Sequence, residues 1–179
     1  MQKTKTNIET LTDKIIALPT PNSDNGTVKN LVIRPEKGTR LLVDTMRLTP
    51  EGGIDGDRWG KAKHSSKRRQ VSMIRSDVLE LFSDGETPEI SGDNIHVDFD
   101  LSHENLPTGT EISIGTVTLK VSGMKHLPCE QFTERFGKDA YTVAKSKRML
   151  KIRARGVLLE VVVGGTISTN DKLRVIKTA

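Results

Sequence analysis

Residues 111–121 read Glu-Ile-Ser-Ile-Gly-Thr-Val-Thr-Leu-Lys-Val. Ile112 and Ile114 alternate with polar neighbours, a tight turn falls at Gly115-Thr116, and Val117, Leu119 and Val121 alternate back. Successive strand side chains point to opposite faces, so each arm buries one face, and the short glycine-containing turn joins them as a β-hairpin. A hairpin alone is marginal in water and needs more sheet to pack with.

The rest of the chain supplies that sheet. Thr27 to Arg34 reads as a buried strand centred on Leu31-Val32-Ile33, and Arg40 to Leu48 as one or two more, with Leu42, Met46 and Leu48 apolar. Gln70 to Ile74, the stretch entered at Ile95-His96-Val97, and Leu173 to Ile176 follow the same pattern. Val157 to Val163 is almost unbroken in its apolar character, which predicts a strand buried on both faces, turned by Gly164-Gly165. Helical patterns are fewer. Ile8, Leu11, Ile15 and Ile16 share a face over 7–18, which predicts a short helix docked on the body. Asp77 to Phe82 is a second helix, and Ala140 to Ile152 a third with a basic face. Pro19 to Gly26 is a turn-rich linker. The expected architecture is mostly β with a few short helices: an N-terminal helix and linker over 1–26, then one barrel domain over 27–177.

Composition narrows the function classes. The net charge is +5 and aromatics are only 3% of 179 residues, so a base-stacking surface is poorly supplied and a small anionic ligand is a better match than nucleic acid. No stretch approaches the roughly 20 apolar residues that span a bilayer, and no secretory signal is evident, so no membrane partner is expected. One cysteine allows no internal disulfide and fits a reducing cytoplasm. That cysteine and four histidines (His64, His96, His103, His126) show no zinc-ligand spacing.

The cysteine is Cys129, in Val121-Ser122-Gly123-Met124-Lys125-His126-Leu127-Pro128-Cys129-Glu130. Pro128 disfavours helix just before it, so Cys129 falls where an extended segment ends and a helix through Gln131 and Phe136 begins. A thiol at a helix start near Lys125 and His126 is in a setting that favours thiolate. The competing reading is a small buried hydrophobe. His126 reads first as a surface loop histidine; the alternative is a role in tuning Cys129 or touching substrate.

Two further stretches carry polar chemistry. Glu51 to Gly60 holds four glycines beside Asp55, Asp57, Arg58 and the only tryptophan, a candidate binding loop matching neither a Walker nor a dinucleotide pattern. Lys61 to Arg69 is basic and reads as a solvated loop, with Arg69 set apart because it adjoins a strand. Gly92-Asp93-Asn94 are ordinary turn residues.

Taken in order, Gly53-Ile54-Asp55-Gly56-Asp57-Arg58, Arg69-Gln70-Val71-Ser72, Gly92-Asp93-Asn94, the Ile112 to Val121 hairpin, Pro128-Cys129, Arg155-Gly156-Val157 and Gly165-Thr166-Ile167 with Asp171 resemble the MOSC domain, found at the C-terminus of molybdenum cofactor sulfurases. The resemblance spans about 27 to 177. It departs from the family pattern at Trp59, where histidine is common, at Asp93, where glutamate is usual, and at Asn170, where glycine usually precedes Asp171. It implies a β-barrel and a molybdopterin-type cofactor, with Cys129 as metal ligand or sulfur carrier. It implies that Gly56, Asp57, Arg58, Gly92, Asp93 and Asn94 line the site, and it places Arg155 in the family's Arg-Gly motif. Arg58, Arg69, Arg148, Arg153 and Arg155 are available to pair with an anionic cofactor, since arginine can grip phosphate through two donors. Three functions follow as expectations: a molybdenum-dependent reductase of N-hydroxylated compounds, a persulfide carrier, or a cofactor-binding module without turnover. No iron–sulfur, flavin or sulfurase module accompanies the domain, so electrons or sulfur are expected from a separate donor protein.

Overall fold

The computed structural model describes residues 7–62 and 65–178; His64 and part of the basic stretch Lys61 to Arg69 lie outside the described residues. In chain order the elements are α1 (Ile8–Ile16), β1 (Asn25–Ile33), β2 (Leu41–Val43), β3 (Thr45–Thr49), β4 (Gly53–Ile54), β5 (Val71–Arg75), α2 (Ser76–Ser83), β6 (Ile95–Asp98), β7 (Glu111–Ile114), β8 (Val117–Val121), α3 (Glu130–Lys145), α4 (Lys147–Lys151), β9 (Val157–Val163), β10 (Gly165–Ser168) and β11 (Lys172–Lys177).

Seven strands close a barrel in the order β11-β7-β8-β9-β5-β6-β1, sealed by pairing of β1 with β11. Closure removes the open edges that a flat sheet would expose. The β7–β8 hairpin pairs Ile112 with Leu119 and Ile114 with Val117, as the alternation predicts. The parallel pair β5–β6 needs a crossover, and α2 with the turn after it provides one. β2 extends the wall beyond β1, and β10-β3-β4 form a separate small sheet. Inward residues of all seven strands, among them Val28, Met73, Ile95, Ile112, Leu119, Leu159 and Leu173, merge in one core. A second core lies among the helices, where Leu11 and Ile15 of α1 meet Val78, Phe82 and Phe132. The rings of Phe82 and Phe132 stand edge to face at 5.4 Å.

Several expectations need correction. β9 is not buried on both faces: Val157, Leu159 and Val161 point inward, whereas Val162 and Val163 are 39% and 50% exposed. A barrel wall has one interior face, and the helices do not cover this end of the outer one. Gly165 does more than turn the chain. It begins β10 and pairs with Leu48. The helix expected over Ala140 to Ile152 is two: α3 starts at Glu130, and α4 is a separate turn whose start at Ser146 is capped by that residue's hydroxyl accepting from the Met149 N–H. α3 is itself interrupted at Gly137, with φ +86°. Ile8, Ile16 and Leu42 are exposed, so only Leu11 and Ile15 anchor α1.

One glycine holds the wall together next to the site. Gly156 has φ +94°, and a Cβ there would overlap the carbonyl oxygen of Met73 on β5. The start of β9 can lie against β5 only without a side chain at this position. Gly156→Ala is expected to destabilise the fold by about 2–4 kcal/mol, from strained backbone plus overpacking. Urea denaturation measures it, and a wild-type midpoint would contradict the reading.

Candidate cofactor site

The site grows from the turn between α2 and β6. Asn94 ties three strands with one side chain. Its Oδ1 accepts from the Ser72 N–H and hydroxyl, both at 3.1 Å, and from the Arg34 guanidinium at 3.2 Å. Its Nδ2 donates to the Val32 carbonyl and to Asp57, both at 3.2 Å. Every donor and acceptor of this fully buried amide is used, as burial of a polar group demands.

Asp57 is buried as well, and its carboxylate accepts from the Arg34 backbone N–H and Nε (each 2.9 Å), the other Arg34 guanidinium nitrogen (3.1 Å), the Trp59 N–H (2.9 Å) and Asn94. Burial raises its pKa, but the Arg34 hydrogen bond and charge outweigh that and hold it below the ordinary carboxylate range. Asp57 therefore faces inward, caps the helical turn Arg58–Lys61 and fixes Arg34.

Arg34, which sequence reasoning missed, reaches over the turn to the Gly92 carbonyl at 3.3 Å. Two more missed arginines join it. A Cβ on Gly92 (φ +71°) would meet Arg135 at 3.1 Å, Arg40 at 3.2 Å and Arg34 at 3.8 Å. Arg135 comes from α3 and donates to the Ser91 carbonyl; its electrostatic neighbours include Arg40, Asp93 and Cys129. Arg34 has Asp57 as counter-ion, but no carboxylate among the described residues forms an ion pair with Arg40 or Arg135. The sequence cue for the three is slight: Arg34 and Arg40 flank a turn, and Arg135 lies in the second turn of a helix.

Asp93 is 2% exposed and pairs with Arg155 at 2.7 Å. Burial pushes its carboxyl up, yet the charge of Arg155 holds it below the usual range. The guanidinium carbon of Arg155 also lies 5.0 Å from the centroid of the Phe132 ring, so the cation is held between a carboxylate and an aromatic face. His126 is not a surface loop histidine. Its side chain is 13% exposed, with Nε2 at 3.7 Å from Asp93. Burial, then Arg155, push its pKa down to about 3, so at neutral pH the imidazole is uncharged and Asp93 is balanced by Arg155. His96, in β6 just after the turn, is buried too. Its Nε2 lies 3.0 Å from the Asp93 carbonyl, which can only accept, so the Nε2–H tautomer is required.

Cys129 stands at the N-terminal boundary of α3, extended (φ −118°, ψ −178°) and exposed, which excludes the buried-hydrophobe reading. Gly92, Asp93, Asn94 and Arg155 thus share one neighbourhood with Arg135, which links it to Cys129. Gly56 and Arg58 flank Asp57 and so adjoin Arg34. Gly56 is exposed with φ +80°. Arg58 is half-buried and donates its backbone N–H to the Arg34 carbonyl at 2.7 Å. Arg69 is exposed at the end of a short helical turn ahead of β5, and Arg148 is exposed on α4. No group of three His, Cys, Asp or Glu side chains among the described residues could hold a metal ion. No helix among them is long and apolar enough to cross a membrane.

Residues 54–174 match the family model described as "MOSC domain". A search of curated proteins returned no match. Among solved structures, the YuaD protein of Bacillus subtilis superposes with a TM-score of 0.65 at 21% identity, covering 84% of this chain and 95% of that one. YiiM of Escherichia coli gives 0.60 at 18% identity, covering 86% and 71%. YiiM of Geobacillus stearothermophilus gives 0.60 at 12% identity, covering 85% and 75%. These likenesses establish the barrel.

The buried imidazole has a consequence for stability. A histidine whose folded pKa is depressed takes its proton on unfolding. Its contribution is complete above about pH 6.5 and is lost as pH falls from there toward about 3. His96 shifts in the same direction, while Asp57 and Asp93 act only below about pH 4. Unfolding free energy is expected to drop by about 2 kcal/mol between about pH 7 and 4.5, and by distinctly less in His126→Gln. Equal pH slopes in the two proteins would refute the assignment.

Proposed function

Because this chain belongs to the MOSC domain family, we propose that it binds a molybdopterin-type molybdenum cofactor through Cys129 and the arginines around Gly92, and acts as a molybdenum-dependent reductase component on N-hydroxylated compounds. The observation that carries the reading is the convergence of Arg34, Arg40 and Arg135 on Gly92, with no carboxylate among the described residues in an ion pair with Arg40 or Arg135 and an exposed thiol among the electrostatic neighbours of Arg135. A phosphorylated pterin is anionic, and arginines without counter-ions suit its phosphate. A thiolate suits a thiophilic metal. The donor set therefore fits the group.

In this reading Cys129 is the metal ligand, and Arg40 and Arg135 hold the anionic part of the cofactor. Gly92 leaves room for close approach because no Cβ fills the space between the arginines. Asp57 and Asn94 keep Arg34 in place, and the Asp93–Arg155 pair keeps the turn in register with the approach to β9. When bound, the metal centre supplies two-electron redox chemistry at an oxygen of the substrate. Electrons come from a separate donor protein. The single thiol, which forms no internal disulfide, accords with a reducing cytoplasm.

The exposure of Cys129 favours one second reading, a persulfide carrier that receives sulfur from a donor protein. Elemental and cofactor analysis of protein from a cofactor-producing host separates the two. Molybdenum is expected in wild type, absent in Cys129→Ala, and reduced at least about tenfold in Arg40→Glu/Arg135→Glu. Metal content unchanged in Cys129→Ala would sink the ligand assignment. A metal-free wild type that gains sulfur on Cys129 after incubation with a cysteine desulfurase would favour the carrier.

A further inference from the structure

A cleft of about 220 Å³ lies between the Ser122 to Leu127 segment, α4 and the start of β9. It adjoins the candidate cofactor site through Arg155 and His126, but Cys129, Gly92, Arg34, Arg40 and Arg135 do not line it. Its charge is one-sided. Lys125, Lys147, Lys151, Arg153 and Arg155 all face it, and no aspartate or glutamate does. Like charges gathered around a concave wall focus positive potential into it.

Arg153 is the informative residue. It is 8% exposed, and its guanidinium donates only to the carbonyls of Leu101 (3.2 Å) and Leu106 (2.7 Å). No carboxylate among the described residues pairs with it. A buried cation without a counter-ion is costly, and most such groups are paired. The backbone adds to the cost. Arg153 sits at φ +50° where α4 ends, a left-handed position that glycine fills most cheaply. An arginine kept there, unpaired, calls for something outside the chain to balance it. Arg155 provides a second open donor: its Nε is buried without a hydrogen-bond partner, although its NH1 is held by Asp93.

The rest of the cleft is apolar, with Met124, Leu150 and Val157 among its walls. We propose that this cleft binds a small organic anion, its acid group set against Arg153, Arg155 and the lysines of α4, and its apolar body against Met124, Leu150 and Val157. An inorganic ion would leave the apolar wall unused, and a neutral molecule would leave Arg153 uncompensated. The proposal does not rest on what Cys129 carries.

The test is a titration of the full chain with benzoate and with phenyl phosphate, followed by two-dimensional amide NMR, against benzamide as a neutral control of the same shape. Saturable shifts are expected at Gly123, Lys125 and Gly156 with at least one of the two anions, and binding of benzamide at least about tenfold weaker. Lys147→Glu/Lys151→Glu changes only exposed side chains and is expected to weaken anion binding by about tenfold. Arg153→Gln is expected to abolish it; should that variant fail to fold, the lysine pair carries the test. Three outcomes overturn the proposal: equal binding of benzamide, shifts confined to Gly92, Arg40 and Arg135, or no saturable shift with either anion. Because the probes act on protein free of metal, a negative result leaves the cofactor reading untouched.

Discussion

The buried pair of Asp93 and Arg155 is the contact on which the polar end of the barrel depends. Its two members come from segments 62 residues apart, the turn before β6 and the approach to β9. Desolvating two charges costs several kcal/mol, and their attraction offsets this only in good geometry with further partners. Those partners are present. Phe132 faces the guanidinium, and His126, kept neutral by its surroundings, fills the remaining side of Asp93. Breaking such a pair by removing one member leaves a buried charge unbalanced, so turn, loop and helix α3 stand or fall together.

From that pair the electrostatics divide into two regions. On the Gly92 side, Arg40 and Arg135 crowd a residue that has no side chain of its own, with Cys129 among the electrostatic neighbours of Arg135. On the cleft side, Arg153 is buried without a carboxylate beside three lysines. Both regions hold cations in excess of their counter-ions, whereas Asp57 and Arg34 are matched almost atom for atom. Matched charges specify a structure, and the unmatched ones are where a ligand's charge contributes most. Asp57 shows the distinction. It belongs to the family's glycine-rich motif, yet its oxygens are consumed within the protein, and its role is to hold Arg34.

Much of the fold was legible in the chain. The period of two in Ile112 to Val121, the apolar runs around Val32 and Leu159, and the turn residues between them are local patterns, and local patterns survive without tertiary information. The ordered motifs carried the MOSC assignment for the same reason: each is a backbone requirement, such as Gly156 against Met73, written as a residue type. β4 and β10 were not legible, because strands of two and four residues acquire their identity from β3, the partner they pair with. Nor was the outer exposure of Val162 and Val163, since an apolar run does not state how many of its faces the fold will cover.

The site divides along the same line. By itself the sequence determined that one thiol stands at the start of a helix, that a Gly-Asp-Asn turn precedes a strand, and that an Arg-Gly pair opens another. These depend on backbone chemistry within a few residues. Only the tertiary structure decided which arginines matter. Arg34 and Arg40 flank the β1–β2 turn and Arg135 lies in α3, with no shared motif, and they meet because that turn and helix α3 converge on Gly92. His126 looked like a surface residue because the loop around it is polar, and it is nearly buried because Asp93 and Arg155 are brought up against it. Charge is read locally in a sequence, but its partners, and therefore its energy, are set by distances that only the closed barrel fixes.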